Sequence, residues 1–126
     1  MQKNTVKTKS TINERVIKSL DLSKFNVIDL DSYGIPAASI LNVFENPTLK
    51  KGTVIIYTCI GDAMSILPGR MIKLFGLSKM YPKAKSLFNK KGHDLFYGML
   101  YKYGVRKVCE YRSDSNFEKT YGFFTF

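Results

Sequence analysis

Two short runs with little polar–apolar alternation, FNVIDL over 25–30 and TVIIYTCI over 53–60, most constrain what this chain can fold into. A strand with one wet face alternates; a strand covered on both faces reads as a continuous apolar run. The second run is rich in β-branched residues, which suit a pleated surface. Between the runs, Pro36 fits the first turn of a helix, Ile40, Leu41 and Phe44 recur at helical spacing, and Pro47 prevents continuation. Strand, helix and strand in that order predict a right-handed crossover between parallel neighbours.

The flanking segments extend this pattern. Residues 1–10 read as a flexible basic arm and 11–126 as one domain. Thr11 and Glu14 have capping-box spacing, and Ile12, Val16, Ile17 and Leu20 predict a short amphipathic helix over 11–20. Pro68, Gly69 and Gly76 break 63–92 into short helices. Leu95, Phe96, Met99, Leu100 and Tyr103 line one side of a helix over 93–103, and Gly104 is placed to stop it. Residues 108–112 and 120–126 predict an antiparallel pair joined by SDSNFEK. The fold class is therefore α/β, with a mainly parallel sheet and a C-terminal antiparallel hairpin.

Composition narrows the function classes. Apolar residues make up 44% of the chain, enough for a core, and the formal net charge is +10. That surplus favours polyanionic partners, nucleic acid first; the plainer reading is a lysine-rich chain with no such partner. No run approaches the roughly 18 apolar residues of a membrane span, and the N-terminus carries no apolar core of a secretory signal. A cytoplasmic location without membrane association is the expectation. Cys59 and Cys109 read as small buried hydrophobes in a reducing compartment, and His93, the sole histidine, has no cluster of partners, so no metal is expected.

From residue 63 to 93 there is no acid, while Arg70, Lys73, Lys79, Lys83, Lys85, Lys90 and Lys91 all fall there, interleaved with Phe75, Tyr81 and Phe88. Of these, Arg70, Lys73, Lys83, Lys85, Lys90 and Lys91 are the candidates for phosphate contact. The bland alternative is a solvated helical face with Phe75 and Phe88 in the core.

The segment NVIDLDSYGIP over 26–36 ends the first strand in alternating acids and a Tyr-Gly turn. It delivers Asp31 and Tyr33 to the carboxyl end of a buried strand, where ligands gather in open α/β sheets. Equally, Asp31 or Ser32 could cap the next helix while Tyr33 packs on the sheet edge. Asp62, ending the second run, could line the same cleft or serve the turn.

The run Asp29-Leu30-Asp31-Ser32-Tyr33-Gly34-Ile35-Pro36 resembles the D-x-D-P-[FY]-G-x-P motif of tRNA guanine N2-dimethyltransferases, which are class I S-adenosylmethionine-dependent enzymes. Thr58-Cys59-Ile60-Gly61-Asp62 and Gly92-His93-Asp94 are loosely similar to turns of that fold. The resemblance implies the C-terminal half of a Rossmann-like methyltransferase sheet over residues 25–126. It implies catalytic roles for Asp31, accepting the amine N–H groups and offsetting charge as nitrogen is alkylated, and for Tyr33, stacking on an extruded base. Ser32, Gly34 and Asp62 would complete the substrate site. Ser32 stands where the family has proline.

A cofactor lobe needs a strand, a Gly-rich turn and an acid at the next strand end, yet no glycine precedes Phe25. The expectation is a nucleic-acid-binding half domain, RNA ahead of DNA, without independent catalysis. It would hold no cofactor alone, and S-adenosylmethionine only with a partner lobe. The alternatives are an accessory RNA- or DNA-binding protein of a ribonucleoprotein or phage assembly, and the target-binding subunit of a split amine-directed tRNA or DNA methyltransferase. An open edge along strand 25–30 predicts pairing with a second copy or a partner protein, with folding-over of the N-terminal arm as the third solution.

Overall fold

The computed structural model describes residues 5–7, 17–30, 36–61, 63–113 and 119–126. Five strands form one sheet: β1 (Thr5–Lys7), β2 (Val27–Leu30), β3 (Val54–Ile60), β4 (Cys109–Ser113) and β5 (Lys119–Thr125), in the order β1-β2-β3-β5-β4. β1, β2 and β3 run parallel, and β5 runs antiparallel to both β3 and β4. The sheet is α/β as expected, but evenly mixed rather than mainly parallel. The C-terminal hairpin supplies half of the pairings, and its last strand inserts beside β3.

The arm is partly structured. Thr5, Val6 and Lys7 pair with Val27, Ile28 and Asp29, so β1 occupies the edge of β2 that the sequence left open. This is the third of the expected solutions for that edge, the arm folded over it, and it corrects two other expectations. Residues 5–7 belong to the sheet rather than to a loose arm, and self-pairing or partner docking through the strand 25–30 edge has no free ladder there over Val27–Asp29. Of the helix expected over 11–20, residues 17–19 are helical and 11–16 lie outside the described residues.

Four helices follow: α1 (Pro36–Phe44), α2 (Gly69–Leu74), α3 (Lys85–Lys90) and α4 (Gly92–Lys102). α1 contains no charged residue and is buried nearly all round, Ser39 and Asn42 included, so the expected stripe of Ile40, Leu41 and Phe44 is only part of its buried surface. α4 buries Phe96, Met99 and Leu100, with Leu95 and Tyr103 half-buried. Gly104 stops it at φ +95°, a left-handed conformation that favours glycine. The Gly104 and Val105 amides then close back onto the carbonyls of Tyr101 and Leu100.

One face of the sheet carries Ile28, Leu30, Ile55, Tyr57, Cys59 and Phe124, which share a core with these helices. Phe44 stacks on Tyr103 at 4.5 Å, and Tyr57 meets Phe96 edge-on at 5.3 Å. Among the described residues, no helix is long and apolar enough to cross a membrane.

Tyr57 carries a cost inside this core. Its ring is fully buried and its hydroxyl makes no hydrogen bond of acceptable geometry. Burial, and secondarily the charge of nearby Glu110, push the phenol's pKa well above its ordinary value. A buried hydroxyl without a partner is unfavourable. Tyr57→Phe is therefore expected to stabilise the fold by about 1 kcal/mol, roughly 3–5 °C in a thermal melt. A fall in melting temperature would instead mean that Tyr57 shares the Glu110 carboxylate.

Candidate functional site

β2 and β3 are parallel, so their carboxyl ends lie at the same end of the sheet. There Gly61, in the left-handed region at φ +55°, turns the chain out of β3 and into the 3-10 turn Ala63–Ser65. A cleft of about 790 Å³ opens beside this turn. Gly61, Met64 and Ser65 line one part of it; Lys85, Ser86, Asn89 and Lys90 of α3 form a wall; Gly92 and His93 begin α4 in it; Arg112 and Thr120 close it from the hairpin.

Local sequence explains these positions. Arg112 pairs with Thr120, which in turn pairs with Cys59. Directly paired residues share a face, so Arg112 lies on the helix side of the sheet, at the row nearest the cleft. Lys85 and Lys90 are the first and last residues of α3, placing one amine near each end of that wall. α4 starts against the 3-10 turn because Gly92 has no side chain; a Cβ there would sit 1.9 Å from the Met64 carbonyl oxygen. Behind the cleft, the Tyr97 hydroxyl donates to the Glu110 carboxylate, tying α4 to β4. Burial first, and that carboxylate second, push the Tyr97 phenol up to about 12.

Among the described residues the cleft therefore gathers three cations, Lys85, Lys90 and Arg112, with hydroxyl, amide and imidazole groups and no carboxylate. Glu110, the acid closest along β4, is engaged by Tyr97. The chemistry such a site offers is anion binding: point charges from the lysines, a planar fork from the arginine, and neutral donors between them. Its volume lies within the range of pockets that enclose a nucleotide-sized group. Among the described residues no three His, Cys, Asp or Glu side chains gather to hold a metal. Cys59 is buried and Cys109 half-buried, and neither forms a disulfide.

No family model matches the chain, and no curated protein matches its sequence.

The expected site residues divide into three groups. Asp31, Ser32, Tyr33, Gly34 and Asp62 lie outside the described residues. Lys85 and Lys90 come together in the cleft, whereas Lys73, Lys83 and Lys91 are exposed elsewhere. Arg70 is already engaged: it donates to Glu45 at 2.8 Å and to the Ala38 carbonyl at 3.2 Å, linking α2 to α1. The interleaved aromatics turn inward. Phe75, Tyr81 and Phe88 pack half-buried against the core, and the Tyr81 hydroxyl donates to Asn89. Gly61, Gly92 and His93, from the two loosely similar turns, do meet at the cleft. Arg112 was missed, although the hairpin pairing expected from the sequence carries the signal: its register puts that side chain beside Thr120.

Proposed function

We propose that this chain is a methyltransferase-like half domain that binds nucleic acid and lacks independent catalysis, taking phosphates in the cleft at the carboxyl end of β3. The observation that carries the reading is the meeting of Lys85, Lys90 and Arg112 in a cleft with no acid among its described lining residues, on a chain of net charge +10. The parallel β2-α1-β3 unit followed by an antiparallel hairpin accords with the resemblance.

The described residues do not fit S-adenosylmethionine. The strand beside β2 is three residues long, and no glycine before Phe25 offers a tight turn for a nucleoside. Methyl transfer would require a cofactor lobe beyond the described residues, and the role of these residues would be to hold the target. RNA is the favoured target through the resemblance to tRNA enzymes; charge alone serves DNA equally.

Fluorescence anisotropy with single-stranded RNA and DNA tests the reading. Affinity should fall steeply with salt, and Lys85→Gln combined with Lys90→Gln should weaken binding about tenfold near 0.1 M salt. The log–log salt slope should shrink by roughly 0.7 per phosphate contact removed. Arg70→Gln, which removes an exposed ion pair and a bond to the Ala38 carbonyl away from the cleft, should leave the slope unchanged. An unaltered slope in the lysine variant would sink the cleft as the phosphate site. Submillimolar calorimetric binding of S-adenosylmethionine by the chain alone would overturn the non-catalytic half of the reading. Binding unchanged by Asp31→Ala would favour an accessory role in a ribonucleoprotein or phage assembly.

A further inference from the structure

The sheet face opposite the helices carries an aromatic cluster. Tyr111 and Tyr121 are directly paired across β4 and β5, and Phe123 follows two residues along, opposite Cys109. Their exposures are 69%, 43% and 49%. The face therefore leaves three large rings at the surface, and no contact with the described core absorbs them. A recess of about 370 Å³ lies among these rings, floored by Val54 and Ile56.

Spacing and charge select an occupant. Tyr121 and Phe123 are two residues apart on one strand, so their positions are separated by roughly 7 Å. That is about twice the roughly 3.4 Å rise between stacked bases, which leaves room for one planar base between the rings. The ammonium of Lys119 lies 5.6 Å from the Tyr121 ring centroid, at the end of β5 that borders the cleft. Arg112 lies next to Tyr111 on β4 but lines the cleft on the helix side. β4 is the edge strand of the sheet. A polyanion leaving the cleft at Arg112 thus needs only to round one strand to reach the rings. Glu110 of β4 borders the recess, but its carboxylate accepts from Tyr97 on the opposite face.

We propose that this face is a stacking platform for the unpaired bases of a single-stranded nucleic acid, with one base entering the slot between Tyr121 and Phe123. The proposal rests on the nucleic-acid reading above and adds to it a second surface and a preference: single strands over duplex, and bases over bare phosphate. Aromatic faces accept any base, so sequence preference should be weak.

The test compares a 12-nucleotide single strand with an abasic strand of the same phosphate count. The wild-type chain should bind the base-bearing strand about tenfold or more tightly. Tyr111→Leu combined with Phe123→Leu keeps the face apolar and should abolish that preference while leaving abasic binding unchanged. The chain contains no tryptophan, so Phe123→Trp adds a single reporter whose emission should be quenched by the base-bearing strand alone. Equal affinity for both strands would overturn the platform and leave the phosphate cleft standing. Failure to bind either strand would overturn both. A doubling of mass with concentration, accompanied by a blue shift of the reporter without oligonucleotide, would show that a second copy covers the face and would overturn the platform as well.

Discussion

Gly92→Ala is expected to lower the thermal midpoint by roughly 3–10 °C and to weaken oligonucleotide binding together with stability. Helix propensity alone predicts the opposite, because Ala in a helix is favoured over Gly by about 0.5–1 kcal/mol. The local geometry decides the sign. A Cβ at residue 92 would lie 1.9 Å from the Met64 carbonyl oxygen and 2.6 Å from its carbon. Both are backbone atoms that cannot rotate away, so the start of α4 or the 3-10 turn must move by more than an ångström. Displacing well-packed elements costs about 1–3 kcal/mol and sometimes more, which exceeds the propensity gain. Because Gly92, Met64 and Ser65 all line the cleft, the displacement also changes the site.

Gly98→Ala, in the same helix, is the matched control. Its Cβ would meet only the tip of the half-buried Phe75 ring, at 3.2 Å. A side chain can yield by a few tenths of an ångström, so the propensity term should bring that variant near or above wild-type stability. Parallel thermal melts and anisotropy titrations of the two variants check the ordering, and equal midpoints would refute the close approach at Gly92.

The contrast shows which features were legible in the sequence. Pro36, the apolar runs of β2 and β3, and Gly104 mark their elements through local rules that operate wherever those residues occur. The three residues of β1 carry no such mark. Thr5, Val6 and Lys7 sit in a polar arm, and only the unpaired ladder of β2 makes them a strand. The basic segment shows the same division. Its cations were visible as a run, but periodicity cannot tell that Arg70 meets Glu45 while Lys85 and Lys90 face Arg112. Those fates depend on partners 22 or more residues away, set by how α2 and α3 pack. Likewise the alternation in β4 and β5 separates Tyr111, Tyr121 and Phe123 from Arg112 and Thr120, but their facing follows only once the hairpin is docked beside β3.

Asn46→Asp should cost about 3–5 kcal/mol at neutral pH although it barely changes the side chain's shape. Asn46 is 5% exposed. Its amide nitrogen donates to the carbonyls of Ile17 and Leu20 at 2.8 and 2.9 Å, and its oxygen accepts from the Thr48 amide and hydroxyl at 2.9 and 2.6 Å. This one side chain fastens the segment leading into β2 to the turn after α1. Aspartate has the same shape but no N–H donors, so it would set a carboxylate oxygen against two carbonyls, taking the Asn46 donor from Ile17 and leaving Leu20 with the longer 3.4 Å bond from the Thr48 hydroxyl. The loss should depend on pH with a defined sign. Repulsion and burial raise the folded-state pKa of the new carboxyl above its unfolded value of about 3.9. The folded state then holds its proton more tightly than the unfolded chain. Relative to wild type at the same pH, the deficit should therefore be small below about pH 4, grow as pH rises through the unfolded value, and level off above the folded one. Thermal melts of both proteins from pH 4 to 8 measure that difference. A constant deficit across the range would show that the variant suffers only from lost donors, with its carboxylate exposed to water.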